Sequence, residues 1–302
     1  MELSIFQRKI VTFLPEIEIR LEEPMSSHTS FRIGGPVEAM AFPKNHEELA
    51  MLLKAADILR TTPVILGAGT NVLAPDEGMR GLVICLKDCI GGMEQLDETH
   101  IKVAAGVTMT RAAVFAAGLG LSGLEFAHGI PGTVGGGVYM NAGAYGGEIR
   151  QVCQSVEVMD RKGNLSTVLC EDMDFSYRHS ILEDTDSIVL SVTFGLISKP
   201  QEEIRALMAD LMNRRKNSQP LDLPSAGSAF KRPVGGYAAA LIDQAGLKGF
   251  CVGGAGVSTK HAGFVVNNGN ATAADVKEVL RQVSDKVFEH SGIRLEPEVR
   301  IW

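Results

Sequence analysis

The 302-residue sequence has no apolar run long enough to cross a bilayer; the longest lies around residues 112–121. Gln7, Arg8 and Lys9 interrupt the apolar residues near the start, so no signal peptide is expected and the chain reads as cytoplasmic, without membrane insertion. Cysteine is sparse. Cys85, Cys89, Cys153, Cys170 and Cys251 form an odd set, and C-x3-C with no second pair does not make a zinc site. Reduced thiols in a cytoplasmic core are the expected reading. The seven histidines show no H-x-x-x-H spacing and no cysteine partner, so no metal is expected. His128 and His261 stand beside glycines and read as satisfied structural residues. Positive charge is also short. A formal net charge of −7 argues against a general nucleic-acid binder, while leaving room for a local basic pocket. There is no internal repeat and no low-complexity tract.

Two familiar motifs are missing as well. Gly67-Ala68-Gly69 follows a strand-like segment but lacks the third glycine of a dinucleotide fingerprint, because Val72 stands there. Pro75, Asp76 and Gly78 follow where a helix would be needed. Ser228 is not in a G-x-S-x-G elbow and has no evident His–Asp partners, which argues against a hydrolase triad.

What the chain does have is glycine in one place. Residues 129–147 (GIPGTVGGGVYMNAGAYGG) hold eight glycines in nineteen positions. Backbone of this kind turns freely and approaches ligands closely, at an entropic cost that disfavours ordinary helix or strand. Glycine content alone does not separate a cradle whose N–H groups meet phosphates from a set of tight turns. The 45% hydrophobic, 22% charged composition fits a globular protein long enough for two domains.

The patterning predicts a short helix over 4–14, a strand over 37–42, and a helix opened by Asn45 or His46. A strand over 63–66 then completes a β-α-β unit and runs into the Gly67–Asn71 turn. From 81 to 199 the chain reads mostly as short strands. They include a hairpin turning at Arg161-Lys162-Gly163-Asn164, with one helix over 110–119. Lys199-Pro200 marks a boundary. Beyond it come a helix over 201–216, a proline-pinned loop over 219–233, and a helix over 237–245. Strands near 250–252 and 264–267, a helix over 274–290 and a strand-like tail complete the chain. The reading is α+β, with an α/β C-terminal third.

Several residues could carry chemistry, each with a plainer alternative. Ser228, on the braced loop, could be a nucleophile or proton donor, or a turn serine. Arg178, in F-S-Y-R-H-S, could grip a carboxylate or be structural. Glu296 and Glu298 alternate on the tail and would share a face, usually a solvated one. Arg214, Arg215 and Lys216, with Lys231 and Arg232, could meet phosphate or satisfy a helix end.

Seven segments taken together resemble one family: HTSFRIGGP at 28–36, LGAGTNVL at 66–73, GIPGTVGGGVYMNAGAYGGE at 129–148, FSYRHS at 175–180, SAGSAFKRP at 225–233, VSTKHAGFVVN at 257–267 and LEPEVR at 295–300. In this order they are similar to the UDP-N-acetylenolpyruvoylglucosamine reductase (MurB) family, over nearly the whole chain. The shorter type, without an extra tyrosine-bearing loop after Ser180, is the one resembled.

The resemblance implies a two-subdomain FAD-binding fold of the vanillyl-alcohol-oxidase (PCMH-type) class plus a C-terminal α/β substrate-binding domain. Residues 1–80 and 81–199 would be the FAD-binding subdomains and 200–302 the substrate-binding domain, with the tail at 295–302 packing back on the first. It implies non-covalent FAD, NADPH as reductant, and reduction of UDP-N-acetylglucosamine enolpyruvate to UDP-N-acetylmuramate for peptidoglycan. Hydride would pass from flavin N5 to C3, and Ser228 would give the proton to C2. Arg178 and Glu298 would steady the developing enolate; Glu298 is preferred to Glu296 because it precedes V-R. Gly67, Ala68, Gly69, Thr70, Asn71, Gly129, Ile130, Pro131, Gly132, Thr133, Gly135, Gly136, Asn141 and Ala142 would seat the cofactor. Arg214, Arg215 and Tyr145 would meet the substrate. A monomer is expected. The alternatives are an FAD-linked sugar or alcohol oxidase of the same fold, for which His128 could be the covalent attachment point, and a non-catalytic UDP-sugar binding module.

Overall fold

Helices begin where the sequence supplies caps. Ser4 accepts the Gln7 N–H at 3.1 Å and Gln7 returns the bond at 2.9 Å, opening Ile5–Phe13. Asn45 caps His46–Ile58, accepting from Glu48 N–H at 2.8 Å. Thr108 caps Met109–Gly118. Thr272 and Asp275 form the capping box of Ala273–Ser291, and Gly292 closes that helix in the left-handed conformation at φ 71°. The structure, a computed structural model, describes residues 3–302.

The chain divides into two compact units, each assembled from separate stretches: 1–21, 38–68 and 81–214 in one, 22–37, 69–80 and 215–302 in the other. The first carries most of a four-stranded sheet in the order Glu18–Pro24, Pro36–Phe42, Met79–Cys85, Val64–Leu66. Val64–Leu66 runs parallel to Met79–Cys85, which lies between it and Pro36–Phe42. Glu18–Pro24 was not expected from the sequence. It is an edge strand, and its charged residues, which protect an edge from further pairing, mask the strand signal.

The same unit holds a five-stranded antiparallel sheet in the order Leu165–Leu169, Cys153–Met159, Ile188–Gly195, His100–Ala104, Met93–Gln95. The expected hairpin pairs Met159 with Leu165 and Val156 with Val168. Gly163, at φ 87°, makes its turn possible. Ile101, Val103, Val156, Val192 and Phe194 form the buried centre, with Ile204 and Met208 of the Gln201–Ser218 helix packed against it.

The second unit has a four-stranded sheet in the order Ser225–Ser228, Phe264–Asn267, Ala255–Val257, Cys251–Val252. Ala238–Gln244 and Ala273–Ser291 bury Ile242, Val276, Leu280 and Val283 in the core of that unit. Two strands depart from expectation. Ser225–Ser228 lies inside the segment read as a loop, and Ala255–Val257 is too short and too small in side chain to show a pattern. The tail strand Arg300–Ile301 runs parallel to Val72–Leu73, directly after the Gly67–Asn71 turn. No described helix is long and apolar enough to cross a membrane. Among the described residues, no cluster of three or more His, Cys, Asp or Glu side chains is placed to hold a metal.

Candidate active site

In the first unit the glycine-dense stretch is not all turn. Thr133 ends an extended segment, accepts the Gly136 N–H at 3.3 Å, and caps a short helix at Val134–Tyr139. Glycine disfavours that helix, but tertiary packing demands its absence of side chain. A Cβ on Gly135 would come within 2.9 Å of the Ala105 Cβ, and one on Gly137 within 2.8 Å of the Met109 sulfur. The N–H groups of Gly132, Val134, Gly135 and Gly137 donate to Ile130, Val107, Ala105 and Thr133 carbonyls. These four amides build the fold, and Gly135 and Gly137 serve close packing. The second small-residue turn does meet the first, since a Cβ on Gly67 would lie 2.6 Å from the Thr133 hydroxyl.

After the helix, Asn141 is 1% exposed and held at φ 41°. A two-residue hairpin follows, pairing Gly143–Ala144 with Gly147–Glu148. Tyr145 and Gly146 form its turn at φ 54° and 88°, the signature of a type I′ turn. Tyr145 is exposed at this tip. Arg178 is similar: it occupies the turn between Ser176 and His179 at φ 59°, a position that glycine normally fills. Left-handed backbone costs an ordinary side chain about 1–2 kcal/mol. Strain of this kind, held at Tyr145 and Arg178 by the surrounding fold, is a recurrent mark of functional positions. The Arg178 guanidinium carbon lies 5.2 Å from the centre of the Tyr177 ring.

The second unit brings together Ser228 and Glu298, seventy positions apart in the chain. The Glu298 N–H donates to the Ala229 carbonyl at 2.9 Å, and Phe230 pairs with Pro297 across an antiparallel bridge. Ser228 is exposed at the end of its strand, just after Gly227 at φ 75°. Glu298 is half-buried, whereas Glu296 projects to the surface and pairs with Lys231. The two carboxylates therefore have different surroundings. Asn71 fastens the same segment, donating to the Glu298 carbonyl at 3.1 Å and accepting from Arg300 N–H at 2.9 Å. Gly69, at φ 60°, lies so close to the His28 carbonyl that a Cβ would approach it to 2.1 Å. The motif at 28–36 is thus packed on the 67–71 turn.

The basic residues are engaged individually. Arg214 pairs with Asp210 one helical turn back at 2.8 Å. Arg215 is buried and donates to Gln219 at 3.3 Å. Arg232 stacks 4.6 Å from the centre of the Tyr237 ring. His261 is satisfied: its Nδ1 accepts from Gly263 N–H at 3.1 Å, and the ring meets Phe264 edge-on. His128 departs from expectation. Its Nδ1 is shut off from solvent with no hydrogen-bond partner among the described residues, and burial lowers its pKa.

These features suit a bound dinucleotide in the first unit. A Cβ on Gly146 would meet nothing within 4 Å, and one on Gly136 only the Thr133 hydroxyl at 3.4 Å. Exposed glycine backbone at 136 and 146 admits close approach of a ligand, and the orphaned buried ring nitrogen of His128 is a group that a cofactor of mixed donors and acceptors can satisfy.

Fold and site together define a protein with an FAD-binding domain: residues 37–169 match the family described as FAD binding domain. Residues 219–302 match the UDP-N-acetylenolpyruvoylglucosamine reductase, C-terminal domain. Among curated proteins, the UDP-N-acetylenolpyruvoylglucosamine reductase of Agathobacter rectalis is 45% identical, over 98% of this chain and 98% of the relative. That of Streptococcus pneumoniae is 43% identical over 98% and 97%. The solved UDP-N-acetylenolpyruvylglucosamine reductase (MurB) of Thermus caldophilus superposes with a TM-score of 0.79 at 36% identity, covering 95% of this chain and 99% of that one. The chain belongs to the UDP-N-acetylenolpyruvoylglucosamine reductase family.

Proposed function

We propose that this protein is an NADPH-oxidising, FAD-dependent reductase that converts UDP-N-acetylglucosamine enolpyruvate to UDP-N-acetylmuramate. The observation that carries the reading is the pairing of the Ser228 strand with the Glu298 segment, in a chain whose two matched spans are an FAD-binding domain and this reductase's C-terminal domain. Residues 1–80 and 81–199 are taken as the FAD-binding subdomains and 200–302 as the substrate-binding domain. A single chain supplies every residue named, so we take it to work as a monomer, in the cytoplasm.

FAD, when bound, supplies hydride to C3 of the enolpyruvyl double bond, having been reduced by NADPH. The 67–71 turn, the 129–136 stretch and Ala142 would hold it. Charge then develops on the substrate carboxylate. Arg178 offers a planar guanidinium to those oxygens, an interaction that strengthens as the charge grows. Glu298, in its protonated form, would donate a hydrogen bond to the same oxygens. Ser228 gives its hydroxyl proton to C2; a serine is a weak acid, and a carbanionic centre is base enough to take its proton. Tyr145, Arg214 and Arg215 are proposed to meet the UDP-sugar.

The direct test is optical. The purified protein, or the protein reconstituted with FAD, is expected to show flavin absorbance that bleaches on anaerobic addition of NADPH. Acid should release all the flavin. Flavin retained by the denatured chain would instead point to a covalent oxidase, and a chain that cannot take up FAD would overturn the proposal.

A further inference from the structure

Arg178 sits in a strained turn, and the fold must hold it there. Ser176 N–H bonds the His179 carbonyl at 3.2 Å and His179 N–H returns to the Ser176 carbonyl at 3.3 Å, closing the turn. Two buried side-chain bonds then fasten its flanks to the end of the Val134–Tyr139 helix. Asn141 Nδ2 donates to the Ser176 carbonyl at 3.0 Å and to Glu148 Oε2 at 3.1 Å, while its Oδ1 accepts the Arg150 N–H at 3.1 Å. Ser180, fully buried, donates from Oγ to the Tyr139 carbonyl at 2.8 Å.

Both amide hydrogens of Asn141 are therefore committed within the protein, and it has no donor left for a cofactor. Its own left-handed backbone, at φ 41°, is the conformation that aims the side chain back at the turn. We infer that Asn141 and Ser180 are positioning residues that hold Arg178 at the angle its role requires. This assigns Asn141 a different part from the cofactor contact expected of it, and it rests on the reading of Arg178 given above.

The test uses the full-length, FAD-loaded protein. Asn141→Gly removes the side chain while glycine keeps the φ 41° backbone without strain. The variant is expected to bind FAD and be reduced by NADPH within about twofold of the parent rate, while reduction of the enolpyruvyl substrate slows at least about tenfold. In protein without substrate or NADPH, hydrogen exchange at the His179 amide should quicken by about tenfold or more. On an Arg178→Ala background, Asn141→Gly should add no further loss, because both changes remove the same interaction. Ser180→Ala, a smaller perturbation, should show the same split and decides the matter if Asn141→Gly does not fold. Losses that multiply on the Arg178→Ala background, equal slowing of both half-reactions, or parent-like rates would overturn the inference. Parent-like turnover in Arg178→Ala alone would instead overturn the role of Arg178 itself.

Discussion

Replacing Ser228 with alanine is expected to leave NADPH-driven flavin reduction intact and to slow turnover of the enolpyruvyl substrate by about 10²–10⁴-fold, the usual range for losing a positioned proton donor. The structure makes this a clean experiment. The Ser228 backbone is held by strand pairing with Phe264, and its neighbour Ala229 bonds Gly263 and Glu298. The side chain is exposed, so its removal opens no cavity in the Ala226–Phe230 core. Stopped-flow measurement of the two half-reactions separates the outcomes. Equal loss in both would make Ser228 a structural residue.

Replacing Arg178 with alanine should cost about 10²–10³-fold in reduction of the substrate, the scale seen when one donor to a developing oxyanion is removed. Lysine should restore little, because a point charge does not reproduce a planar fork. Arg178→Gly is more telling. Glycine accepts φ 59° freely, so this variant should be as stable as the parent or more so, by about 1 kcal/mol, while being as slow as alanine. Thermal unfolding and steady-state rates measured on the same preparations check both halves. A stabilised but slow protein means that the strain at 178 is kept for function. Retained activity would mean that the arginine is only a turn residue.

Much of this was legible in the sequence because caps, motifs and alternation are local signals. The helix expected over 274–290 is present at Ala273–Ser291, and the hairpin expected to turn at 161–164 pairs as read. The seven segments, taken in order, named the family that the comparisons show. What was hidden depends on distant partners. The Val134–Tyr139 helix is capped by Thr133, and the Ala105 Cβ packs against it so closely that position 135 suits glycine. No propensity foretells that. The charged Glu18–Pro24 edge strand conceals itself for the reason that protects its outer edge from further pairing. The resemblance made Asn141 a cofactor contact, whereas its bonds to Ser176, Glu148 and Arg150 depend on residues that no local pattern joins to it. The choice between Glu296 and Glu298 rests on resemblance, since Glu298 precedes V-R; the structure adds that Glu296 is exposed and pairs with Lys231.

The central claim is that the chain's reduced FAD form delivers its electrons to an enolpyruvyl UDP-sugar. The most direct measurement mixes anaerobically NADPH-reduced protein with UDP-N-acetylglucosamine enolpyruvate and follows flavin absorbance together with product by mass spectrometry. The account predicts prompt return of the oxidised spectrum and one lactyl ether formed per FAD. A flavin that stays bleached with this substrate and returns only on admission of dioxygen would contradict it.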